Sequence, residues 1–163
     1  MEIVTSKISK KTAFALVKDV MSYLKLKEIN KLAVSFGFGC ENVEKVIELY
    51  KDIIIRTNRV LDYLKESIEK KYFDFGKGNL YIKSKEIKTE FLLCHEGDIH
   101  CETTNKDIQA YFEELLKNKG VEYQIATEKD IQKRIKKFRR YQLLTKKDVI
   151  KVMKKIHKRL SNK

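Results

Sequence analysis

The feature that most restricts what this 163-residue chain can fold into is a change of hydrophobic period near residue 76. Before it, apolar residues recur at helical spacing. After Gly76 and Gly78 they alternate, so that NLYIK, EFLLCH and DIHCET read as three short strands. Asn105 then stands where a helix over DIQAYFEELLKNK needs its N-cap, Gly120 fits the C′ position, and VEYQIA returns to strand. A chain with these two periods is neither all-helical nor all-β.

The first half reads as helical. From Ser9 to about Lys25, Phe14, Val17, Val20, Met21 and Leu24 form one stripe. A short helix is expected from Glu28 to Phe36, ended by the glycines of FGFGC. A long one is expected from Glu41 to about residue 71, with Val43, Val46, Ile47, Tyr50, Ile54, Leu61, Leu64 and Ile68 as its apolar stripe. The spacing therefore predicts an α+β fold. Its N-terminal helices precede an α-β-β-β-α-β core with a small mixed sheet, and two basic C-terminal helices follow. The parts are a helical segment 1–72, a sheet-and-helix core 73–126 packed on helix 41–71, and a basic segment 127–163. In the last segment Thr127 caps a helix carrying Ile131, Ile135 and Phe138. Thr145 and Asp148 open a second one carrying Val149, Val152, Ile156 and Leu160.

Charge is segregated along the chain. Residues 126–163 hold 15 Lys and Arg against three acidic residues, a net +12 of the total +13. The preceding 125 residues hold 21 basic and 20 acidic residues, a net +1. A concentrated basic segment on a balanced body is the footprint of a polyanion partner. In the first basic helix, Lys133, Arg134, Lys136, Lys137, Arg139 and Arg140 lie off the apolar stripe. In the second, Lys146, Lys147, Lys151, Lys154, Lys155, Lys158 and Arg159 do the same. Such side chains neutralise backbone phosphates and give affinity with little sequence choice. Nucleic acid, DNA in the first place, is the expected partner, and a larger nucleic-acid-processing complex is a further one. No apolar run approaches a membrane span, and Lys7, Lys10 and Lys11 precede any apolar run, so no membrane partner and a cytoplasmic location are expected. The absence of proline and the abundance of Lys and Ile fit an AT-rich source such as a phage, a mobile element or a low-GC bacterium.

Residues 94–101, CHEGDIHC, gather two of the three cysteines and two of the three histidines. A two-residue turn at Gly97-Asp98 pairs His95 with His100, Cys94 with Cys101 and Leu93 with Glu102. Alternation then sends the cysteines to one face and the histidines to the other, so no metal site is expected from them. Cys94 and Cys101 read as small core residues, and a reducing compartment argues against a disulfide.

Two stretches resemble known families. In KLAVSFGFGCENVEKVIEL, residues 31–49, the spacing of Ala33, Gly37, Val43 and Val46 resembles a helix-turn-helix, with an ordinary helical hairpin as the preferred alternative. The longer stretch, 89–131, resembles the core of PD-(D/E)xK nucleases, the restriction-endonuclease-like fold, in the form found in transposase endonuclease subunits. Thr89-Glu90-Phe91 stands where that family has "PDF". Glu102-Thr103-Thr104 stands where it has "ExK". Lys119-Gly120, the strand VEYQIA and Thr127-Glu128-Lys129-Asp130-Ile131 follow as they do there. The resemblance implies two carboxylates, Glu90 and Glu102, that hold Mg²⁺, and a lysine beside them. Thr104 occupies the lysine position, and Lys106, two residues on, is the candidate substitute. With the two-residue turn, Glu90 and Glu102 fall on opposite faces.

The function expected from the sequence is nucleic-acid binding, most specifically DNA binding, with a nuclease-like core that is inactive and no cofactor. One alternative is an Mg²⁺-dependent endonuclease acting through Glu90, Glu102 and Lys106. Another is a protein-interaction module, such as a phage-encoded inhibitor of a nucleic-acid-processing complex.

Overall fold

The structure, a computed structural model, describes residues 1–40 and 48–126. The chain divides into two compact units, Met1–Ile125 and Ala126–Lys163. The two basic helices expected after residue 126, with the lysines and arginines expected to meet phosphate, lie outside the described residues.

The fold is α+β. The elements run β1 (Glu2–Thr5), α1 (Lys10–Leu26), β2 (Lys31–Phe36), β3 (Ile53–Arg56), a 3₁₀ turn (Thr57–Arg59), α2 (Val60–Glu69), β4 (Leu80–Ser84), β5 (Thr89–Leu93), β6 (Ile99–Thr103), α3 (Lys106–Asn118) and β7 (Tyr123–Ala126). From α2 onward the order is α-β-β-β-α-β, as the alternation of period requires. The strands form one seven-stranded sheet in the order β3-β2-β4-β5-β6-β1-β7. The five pairings from β3 across to β1 are all antiparallel.

The expected small mixed sheet is thus wider, because the first 72 residues contribute three strands as well as α1 and α2. β1 is four residues with two β-branched ones at its centre, too short to show a period, and it enters between β6 and β7. β2 replaces the short helix expected over 28–36. Its Leu32, Ala33, Val34, Ser35 and Phe36 are all buried, so it reads as a continuous apolar run in which period 2 is masked. Glu28, at a φ of 61°, ends the preceding helix. The same strand removes the first helix of the helix-turn-helix resemblance. β3 replaces the middle of the expected long helix: Ile53, Ile54 and Ile55 are three consecutive β-branched residues, which favour an extended backbone over a helix.

α1, α2 and α3 lie on one face of the sheet. α1 starts at a Ser9 cap whose Oγ accepts from Thr12 N at 3.0 Å. It buries Leu16, Val17, Val20, Met21 and Leu24 against the sheet. α3 is capped by Asn105, whose Oδ1 accepts from Asp107 N at 3.0 Å and Ile108 N at 3.2 Å, and Gly120 follows it with a φ of +63°. Phe112 packs edge-on to Phe91 with centroids 5.6 Å apart, which fixes α3 to β5. Tyr23 stacks on Tyr111 at 3.8 Å and ties α1 to α3. Within this layer Leu80, Ile82, Phe91, Leu93, Ile99 and Cys101 point inward, and their neighbours in sequence point to the other face.

Candidate functional site

The site is built on the sheet face opposite the helices, and its composition follows from the β5–β6 hairpin. The connection has five residues, Cys94 to Asp98, in place of a two-residue turn. Gly97 N donates to Cys94 O at 3.1 Å, and Cys94 N donates to Asp98 O at 3.0 Å. Gly97 takes a φ of +86°, the left-handed position that closes this longer turn and that a side chain disfavours. Phe91 therefore pairs with Cys101, and Glu90 pairs with Glu102. The register differs by three residues from that of the two-residue turn. An odd shift exchanges the faces.

This corrects the expected separation of the carboxylates. Glu90 and Glu102 stand directly opposite each other on one face. The row continues across the sheet, with Glu2 beside Glu102 on one side and Lys83 beside Glu90 on the other. Lys83 Nζ lies 3.9 Å from Glu90 Oε2 and 3.2 Å from Asp52 Oδ1. Burial pushes the Glu90 carboxyl above its ordinary value; Lys83 opposes the shift, while Glu102, Asp52 and Glu2 reinforce it. Lys83, Lys85, Lys88, Glu90 and Glu102 line an open cleft of about 430 Å³.

Lys106 does not join them. It is the first residue of α3, on the helical side of the sheet, and borders a different depression with Gln109 and Glu113. The cation at the carboxylates is Lys83, which comes from a neighbouring strand. Sequence reasoning missed it because its place depends on the β4–β5 register, which brings Lys83 opposite Glu90. The alternation in NLYIKSKEIKTEF was the available signal. Glu2 had none, since β1 shows no period.

The cysteines and histidines are also redistributed. Cys101 sits in the core beneath α3, as expected, and burial pushes its thiol up to about 12. Cys94 is buried on the opposite face, so the two cannot bridge, and all three cysteines are free. His95 is held by Asn79, whose Oδ1 lies 2.9 Å from both its backbone N and its Nδ1. His100 shares the face of Glu2 and Glu102. Burial alone would depress it, but Asp98, Cys94 and Glu2 around it push it up to about 11.

Among the described residues, no helix is long and apolar enough to cross a membrane. Compared with family models, curated proteins and solved structures, the chain matches none of them.

Proposed function

We propose that the protein binds nucleic acid, DNA in the first place, through its basic C-terminal segment. The observation that carries this reading is the segregation of charge, +12 on residues 126–163 against +1 on the rest. Lys and Arg at this density neutralise successive phosphates and release counterions, which makes affinity steep in salt. Fluorescence anisotropy of the full chain on labelled duplex and single strands, at two salt concentrations, tests it. The expected result is tight binding at low salt that weakens steeply at high salt. Replacing Lys133, Arg134, Lys136 and Lys137 by Gln should lower the salt slope by about 0.9 for each phosphate no longer neutralised. Binding that ignores salt and these four substitutions would overturn the reading. Recovery of a stoichiometric protein partner with no nucleic acid would favour an interaction module instead.

A second reading, Mg²⁺-dependent cleavage of a phosphodiester, is favoured by one specific observation: Glu90 and Glu102 are cross-strand neighbours with Lys83 beside them. The donor set fits the ion. Mg²⁺ takes oxygen ligands, uses one or two carboxylates and keeps several waters, and the cleft is open to solvent. Glu90 and Glu102 would hold it, and bound Mg²⁺ would polarise a phosphoryl oxygen and acidify a water. Lys83 neutralises the carboxylate row when the ion is absent and offers a cation to phosphate oxygens. Nicking of supercoiled plasmid in Mg²⁺ tests this reading. Glu102→Ala and Lys83→Ala should abolish or strongly reduce nicking, and Lys106→Ala should leave it unchanged. Nicking that survives Glu102→Ala assigns the activity elsewhere.

A further inference from the structure

The five-residue hairpin connection has a second effect, separate from the Glu90–Glu102 pair. Cys94, Asp98 and His100 converge on one point of the sheet face, with their candidate ligand atoms all within 4.8 Å of one another. Cys94 is 5% exposed. His100 Nε2 lies 3.4 Å from Asp98 Oδ2, an ion-pair distance without an aligned hydrogen bond. Asp98 Oδ1 and His100 Nε2 are both buried with no hydrogen-bond partner, two of three such side-chain atoms among the described residues. Buried polar atoms of a folded protein are normally satisfied, and here Nε2 meets Asp98 Oδ2 only as an unaligned ion pair while Asp98 Oδ1 has no partner, so the cluster has capacity for an occupant.

We propose that Cys94, Asp98 and His100 form a binding site for a divalent transition ion of the zinc class, with water in the fourth position. The donor set is one sulfur, one imidazole nitrogen and one carboxylate oxygen, which suits Zn²⁺ and disfavours Mg²⁺ and Ca²⁺. Nitrogen and oxygen ligands at about 2.0–2.2 Å from a tetrahedral zinc lie roughly 3.3–3.6 Å apart. The 3.4 Å between Nε2 and Asp98 Oδ2 already matches that edge. Cys94 Sγ, within 4.8 Å of both other ligand atoms, needs to close by about 1.2 Å at most to reach the roughly 3.6 Å edge of a zinc thiolate. His100 Nδ1 is bound to Glu2 Oε1 at 2.7 Å. That bond orients the ring and leaves Nε2 for the metal, the carboxylate–histidine–metal relay that supports most histidine ligands. His95 Nδ1 is held by Asn79 Oδ1 at 2.9 Å and lies 3.6 Å from Cys94 Sγ, and it is not part of the converging set.

Binding exchanges protons for the ion. The Cys94 thiol proton and the proton on His100 Nε2 leave to solvent as the two metal bonds form. With metal in place, the hairpin connection becomes a closed clip between the end of β5 and the start of β6, on the same face as the carboxylate row.

The test uses the full chain, reduced and stripped of metal, titrated with Co²⁺. The expected result is saturation at one cobalt per chain, with the visible bands of tetrahedral cobalt and a near-ultraviolet thiolate-to-cobalt charge-transfer band, both erased by Zn²⁺. Cys94→Ser should remove the charge-transfer band, and His100→Gln and Asp98→Asn should weaken binding. Glu2→Gln should keep the bands but lower affinity about 10–100-fold. Absence of the charge-transfer band in the unsubstituted chain, or its persistence in Cys94→Ser, would overturn the proposal. If circular dichroism shows Cys94→Ser to be unfolded, Asp98→Asn decides: a folded variant with undiminished cobalt affinity also overturns it.

Discussion

Replacing Lys83 by Met tests whether the carboxylate row is held together by charge. Met keeps the apolar stem and removes the cation. Lys83 Nζ faces Glu90 at 3.9 Å and Asp52 at 3.2 Å, where each gross attraction is about 4–5 kcal/mol at an effective dielectric near 20. The three side chains are 29–36% exposed, so solvent screening and desolvation leave a net of about 1–2 kcal/mol. The pH dependence follows from Glu90. Its folded pKa is raised, so its ionisation costs stability once pH exceeds the unfolded value of about 4.3. Lys83 offsets that cost only while carboxylates are ionised. Urea unfolding at pH 7 should therefore show Lys83→Met about 1–2 kcal/mol less stable than the parent, and at about pH 2.5, below the ordinary values of about 3.9 for Asp and 4.3 for Glu, the gap should shrink below about 0.5 kcal/mol. An equal gap at both pH values would refute the ion-pair reasoning and assign the loss to the cation–π contact with Tyr81, over whose ring Nζ sits at 5.2 Å.

Phe112→Ala should cost about 3–5 kcal/mol in urea unfolding, because Phe112 is 1% exposed and the layer it fills with Phe91 and Leu16 leaves a void of only about 10 Å³. A loss below about 1.5 kcal/mol would mean that α3 does not pack on β5 as described. Asn105→Ala removes the acceptor of two α3 amides and should cost about 1 kcal/mol, while Asn105→Gly should cost only a few tenths. Equal costs for the two would argue against side-chain capping.

The elements legible in the sequence are those whose signals are local. Ser9 and Asn105 sit at helix starts with apolar stripes behind them, and β4, β5 and β6 alternate cleanly. β1, β2 and β3 are hidden for three different reasons. β1 is too short for a period, β2 is buried on both faces, and the isoleucines of β3 fall within a run that also satisfies helical spacing. At the site, Glu90 and Glu102 stand out by their motif positions. Their relation is inverted, because face assignment depends on the length of the hairpin connection and one odd step reverses it. Lys83 and Glu2 reach the row only through pairings between strands, which sequence spacing does not encode. The convergence of Cys94, Asp98 and His100 is concealed by the same register.

Both candidate sites rest on the β5–β6 register, and interproton distances measure it directly. Counting from the Cys94–Asp98 hydrogen bond, Phe91 and Cys101 form a non-hydrogen-bonded pair, whose Cα atoms approach to about 4.5 Å. The described register predicts a strong Hα–Hα nuclear Overhauser effect between Phe91 and Cys101, with matching ones for Thr89–Thr103 and Leu93–Ile99. An Hα–Hα effect between Leu93 and Glu102, the pairing of a two-residue turn, would contradict it and return Glu90 and Glu102 to opposite faces.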